Sequence, residues 1–196
     1  GMTDTVFLGI WMDSAAVGVY GMAKRTALLI GIVLVAINSI IAPRFAALYA
    51  QGDYKALGEL ARGAAWLMIL CTTPALALLI AVPRIVLRFF GPGFEMGALA
   101  LVILAIGQFI NVATGSVGYL LMMTGHEKLM RNNLVVATAI NILMNVVLIP
   151  KLGIAGAAIA AATSLAFMNL VATVLVYRKL SILVLPLIPN PKGQTL

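Results

Sequence analysis

The stretch LVVATAINILMNVVLI, Leu134–Ile149, carries no Lys, Arg, Asp or Glu. After the tight connection Pro150-Lys151-Leu152-Gly153 a second uncharged run follows, Ala155–Tyr177. Working outward, Ala98–Met123, Ala64–Val82 and Thr26–Pro43 are also free of those four residue types. A helix of about 20 apolar residues crosses the ~30 Å hydrocarbon core of a bilayer. One such run is compatible with a signal segment or a buried core helix, but five in series define a polytopic membrane protein. Backbone polar groups in lipid must be satisfied within each segment, so the expected fold is all-α, a transmembrane helix bundle of about five spans.

Composition agrees. Hydrophobic residues make up 63% of the 196 residues and charged residues 10%, against roughly 45–50% and 25% in soluble domains. The net charge of +7 would suggest nucleic acid in a soluble chain. Here the basic residues sit in loops beside apolar spans, so the charge reads as topology and no nucleic-acid partner is expected. Arg44, Lys55, Arg62, Lys128, Arg131, Arg178, Lys179 and Lys192 fall on one side, against Arg84, Arg88 and Lys151 on the other, joined by Lys24 and Arg25 if these lie there too. The positive-inside rule then makes the first and third loops and the C-terminus cytoplasmic.

Three segments result. Residues 1–13 read as the end of a truncated transmembrane helix, because Val6–Met12 is too short to cross and Gly1-Met2-Thr3-Asp4 has no basic n-region of a signal peptide. Residues 14–180 form the five-helix bundle, and 181–196 a cytoplasmic tail. Pro43 is expected to end the first span and Gly52-Asp53 to start the next helix, with Asp53 as N-cap. Pro74 bends the second span, Phe90-Gly91-Pro92-Gly93-Phe94 is a turn, and Pro150–Gly153 forces the last two spans into an antiparallel hairpin. Gly156, Ala160 and Ser164 recur at every fourth position, a spacing that lets two helix backbones approach closely.

Signatures of enzyme chemistry are lacking. The only histidine is His126 and the only cysteine Cys71, so no His/Cys metal cluster, no HExxH and no nucleophile elbow can be written, and no Walker loop occurs. No metal, no cofactor and no catalytic residue is expected. What remains is polar residues within the apolar runs: Asn38, Gln108 and Asn111, Asn141 and Asn145, and Asn169. Gln108 and Asn111 share a helix face, as do Asn141 and Asn145. They read either as a carboxamide-lined cavity for a hydroxyl-rich solute or as interhelical glue worth about 0.6 kcal/mol per pair.

Lys24 and Arg25 are the sharpest feature. If their helix starts at Asp13-Ser14, they lie about 15 Å from that end. If the crossing starts at Thr26, they sit at the interface and snorkel. Spacing leaves both placements open.

The order of these features resembles the C-terminal half of the polysaccharide flippases of the multidrug/oligosaccharidyl-lipid/polysaccharide superfamily, whose fold is MATE-like. The residues that carry it are Thr3–Gly9, Ala16–Ala23, Ala36–Ala46 with the Gly52-Asp53 turn, Thr124-Gly125 and Asn141–Gly156. The resemblance implies the second lobe of a two-lobed, alternating-access transporter that moves lipid-linked oligosaccharide or polysaccharide precursors across the bacterial inner membrane. Its partners would be that substrate, membrane lipids, an N-terminal lobe of the same protein, and a glycan polymerase or glycosyltransferases. It also implies that Lys24 and Arg25, with Arg25 dominant for its bidentate geometry, are cavity cations for a diphosphate. Asp4 would then bind a coupling ion or pair with those cations. A MATE-type drug or cation antiporter and a non-transporting structural subunit are the other readings.

Overall fold

A computed structural model describes residues 3–184 of the chain. Among these residues the secondary structure is helical, with no strand: α1 (Thr3–Trp11), α2 (Ser14–Ala50), α3 (Tyr54–Ala81), α4 (Pro83–Arg88), a 3-10 turn (Phe94–Gly97), α5 (Ala98–Ala113), α6 (Val117–Met123) and α7 (Glu127–Leu180). Four helical segments are long and apolar enough to cross a membrane, the last of them 54 residues long. That last helix is not straight. Gly153 has φ 55° and ψ −130°, outside the helical region, and a Cβ placed on Gly156 would lie 2.4 Å from the Leu148 carbonyl oxygen. The chain therefore folds back at Gly153 into two antiparallel arms. Side-chain bonds between the arms, Asn133 to the Met168 carbonyl and Asn141 to Ser164, follow that register. With both arms counted, the architecture is the expected five-span helical bundle.

Local chemistry explains the starts. Asp13 caps α2 by accepting from the Ala16 N–H at 2.9 Å, and Asp53 caps α3 by accepting from Ala56 at 2.9 Å. Gly52 takes φ 74° between them, so the Gly52-Asp53 boundary stands where the sequence puts it.

Two expectations fail. Pro43 does not end α2, which continues to Ala50. The proline removes a single backbone bond, whereas Ile41, Ala42 and Phe45 around it are buried, and that packing outweighs the loss. The third span, read as continuous over Ala98–Met123, is broken at Thr114–Ser116. Gly115 takes φ 73° there, and Thr114 turns its hydroxyl back to the Ile110 and Asn111 carbonyls. Just past the end of α7 at Leu180, Ile182 and Val184 are buried. Residues 185–196, with Lys192, lie outside the described residues.

α5 is the central post, packed against α2, α3 and α7. Its approach to the second arm of α7 is close enough that a Cβ on Gly107 would lie 2.8 Å from Ala162 Cα. α1 packs against α2 and α7. The outer surface is apolar: Ile32, Val35, Leu70, Leu99, Val135 and Leu143 are all exposed, as a lipid-facing surface requires.

Candidate functional site

Met12 at the α1–α2 turn, Met96 before α5, and Leu152-Gly153 at the tip of α7 line one small cleft, so these connections share one end of the bundle. From that end the helices run inward in parallel register. Lys24 is ten residues into α2, about 15 Å along its axis. Asn141 stands midway between Arg131 and Lys151, the charges that bound its arm, and Ser164 is midway between Lys151 and Arg178. The levels coincide, so Lys24, Asn141 and Ser164 stand at a common height along the bundle.

There they form one cluster. The Lys24 ammonium lies 2.6 Å from Asp4 Oδ2 and over the Tyr20 ring, 5.5 Å from its centroid. The other carboxylate oxygen of Asp4 accepts from Asn141 Nδ2 at 3.0 Å and from Asn145 Nδ2 at 3.2 Å. Asn145 also donates to Asn141 Oδ1 at 3.0 Å. Asn141 reaches the Ser164 hydroxyl at 3.3 Å, and Ser164 in turn donates to the Ala161 carbonyl. The Asp4 side chain is only 3% exposed and that of Lys24 20%. A buried carboxylate survives at this depth because a cation and two amides saturate it.

A cavity of about 430 Å³ opens beside the cluster, with Thr3, Asp4, Lys24, Gln108, Thr138, Asn141 and Ser164 supplying its polar lining. Alanine, leucine and methionine from α2, α5 and both arms of α7 supply the apolar part. The site thus draws on four of the helices, with the Lys24 ammonium and the Asp4 carboxylate as the charges on its wall.

The structure sorts the sequence candidates. Asp4, Lys24, Gln108 and Asn141 line the cavity; Asn145 is fully buried behind it and positions Asp4 and Asn141. Asn111 donates to Gln108 Oε1 at 3.4 Å without lining the cavity. Asn38 is fully buried elsewhere on α2, and neither of its side-chain polar atoms has a partner. Asn169 bonds the Leu165 carbonyl of its own helix. Arg25 is exposed and does not line the cavity. Adjacent helical residues diverge by ~100°, so turning Lys24 inward turns Arg25 away. Ser164, Thr138 and Tyr20 were not singled out as site residues. Ser164 lay hidden in the small-residue stripe, and only its placement opposite Asn141 in the hairpin register reveals its second role. Among the described residues no group of His, Cys, Asp and Glu is placed to hold a metal ion.

A helical membrane bundle that buries a carboxylate–ammonium pair beside a cavity has the build of a solute-handling membrane protein. The MatE family model matches residues 1–147, and the chain belongs to that family. It is also similar to the probable low-salt glycan biosynthesis flippase Agl15 of Haloferax volcanii, 27% identical over 164 residues, 83% of this chain and 35% of the relative. The chain thus spans about a third of the length of that relative.

Proposed function

We propose that this chain forms the second lobe of a membrane transporter that flips lipid-linked oligosaccharide or polysaccharide precursors by alternating access, with Lys24 meeting the anionic phosphate group of the carrier lipid. The observation that carries the reading is Lys24 on the wall of a cavity of about 430 Å³ between apolar helices long enough to cross a membrane. An unpaired ammonium within the membrane would cost roughly 2.5–3.5 kcal/mol on insertion scales; Asp4 meets that cost here, and in the proposed reading a phosphate shares or takes over its place. Gln108, Thr138 and Asn141 add neutral hydrogen-bonding groups suited to hydroxyls. Family membership supports transport, and the glycan-flippase relative supports the substrate class. A cation exporter needs net negative charge in its cavity; here the one acid on the wall, Asp4, is neutralised by Lys24.

The reading includes placement in the bacterial inner membrane with the basic end in the cytoplasm, an N-terminal lobe as partner, and glycan-assembling enzymes nearby. Depleting the full-length protein in its own cell tests it. The expected result is accumulation of a lipid-linked glycan accessible only from the cytoplasmic face. Unchanged glycan export would remove the proposal.

A further inference from the structure

We infer that the break in the third span is a hydrated joint: ordered water, bound between the Asn38 carboxamide of α2 and the Ser116 hydroxyl, links α5 to α6. The inference is independent of the anion reading of the cavity, which neither residue lines. Six buried side-chain polar atoms have no hydrogen-bond partner among the described residues, and three of them are Asn38 Nδ2, Asn38 Oδ1 and Ser116 Oγ. Asn38 is fully buried and Ser116 only 2% exposed. Buried amides and hydroxyls are almost always paired, with protein or with ordered water.

Register brings the two residues together. α2 and α5 run side by side in the same direction: a Cβ on Gly97 would lie 2.8 Å from Val19 Cγ1, and one on Gly31 would lie 3.3 Å from Gln108 Oε1. Seven residues beyond Gly31, Asn38 reaches the level of Gly115, seven beyond Gln108. α2 also packs against α6. At that level the third span leaves helical geometry, with Gly115 at φ 73°. Thr114, Gly115, Ser116 and Val117 are all buried, so the irregular backbone is walled off by protein, the setting in which a break within a membrane is tolerated. Thr114 satisfies itself on the Ile110 and Asn111 carbonyls. Ser116 and Asn38 do not, and α6 begins without a side-chain cap, which leaves the N–H groups of its first turn in need of partners as well.

The chemistry of the unpaired atoms names the ligand. Asn38 offers two N–H donors and an acceptor oxygen, and Ser116 a donor and an acceptor. A cation would face the Asn38 N–H groups and an anion its carbonyl oxygen, and neither side chain carries a charge to hold an ion. Water both donates and accepts, and two to four polar partners are what a buried water needs. A bridging water also re-forms its bonds after a small shift of either partner, so α6 can change its angle to α5 without leaving Asn38 or Ser116 bare.

The test uses the full-length protein in lipid nanodiscs. Hydrogen–deuterium exchange read by mass spectrometry needs no variant: the amides of Ser116–Tyr119 should exchange ahead of those of Leu101–Gly107 in the same span. Equal protection of both would overturn the inference. Melting then separates a hydrated pair from a dry one. Were the two side chains simply bare, Asn38→Leu would remove two unpaired atoms and raise the melting temperature. With water bound, Asn38→Leu should lower it, because Ser116 loses its bridge. Ser116→Ala should lower it too, and the double variant should melt no lower than the worse single one, since both residues act through one water. A rise in Asn38→Leu, or two losses that simply add, would also overturn the inference. Should Asn38→Leu fail to fold, the exchange measurement on the wild-type protein decides.

Discussion

The Asp4–Lys24 pair has unequal dependents. Removing Lys24 alone strands a carboxylate at 3% exposure, and breaking a buried pair from one side costs about 3–5 kcal/mol. Lys24→Met should therefore lower the melting temperature of the purified protein, and Asp4→Asn/Lys24→Met should largely restore it. Equal melting of all three would show the pair to be solvated rather than buried. Asn145→Leu should also destabilise, by about 1–3 kcal/mol, because Asp4 Oδ1 and Asn141 Oδ1 each lose a donor. An unchanged melting curve would contradict that bond network. The sequence marked Lys24 and the two asparagines as polar in apolar stretches, and Asp4 only through the family resemblance. The reading from resemblance favoured Arg25 over Lys24; which of the two turns inward depends on the rotation of α2 about its axis, fixed by its packing against neighbouring helices, chiefly α3 and α5. The sequence could not bring Asp4 to Asn141 across 137 positions.

Among the elements, the hairpin of α7 is the most exactingly packed. Any side chain at Gly156 meets the Leu148 backbone, and a backbone wall does not yield as a flexible side chain does. Gly156→Leu should reduce the amount of protein in the membrane, with overpacking at about 1–3 kcal/mol or more; normal accumulation would mean the arms are further apart than described. Gly107→Leu should act likewise through Ala162. The hairpin was legible because Pro150–Gly153 leaves no room for anything else. The continuation of α2 past Pro43 and the break at Thr114–Ser116 were not. In both places the outcome is decided by neighbours, a buried Phe45 in one and the close approach of Ala65 and Val184 to Gly115 in the other, and local propensity is silent about neighbours.

For the molecule as a whole, the span count and the sharing of ends by alternate loops follow from apolar run length and charge placement, the most robust signals in a membrane sequence. Orientation is testable in a Cys71→Ser background: an impermeant thiol reagent on intact cells should label Phe89→Cys and spare Lys55→Cys, and the reverse would invert the assignment. The cavity was not legible, because a space between helices belongs to no single segment. Its charge carries the central claim, that Lys24, and not its neighbour Arg25, meets the anionic group of the substrate. The most direct measurement is glycan export by cells expressing the full-length protein as Asp4→Asn/Lys24→Met or as Arg25→Met, with membrane protein levels quantified alongside. The account predicts that the double variant accumulates normally yet exports nothing, while Arg25→Met retains export. Export by the double variant, or its loss in Arg25→Met alone, would contradict it.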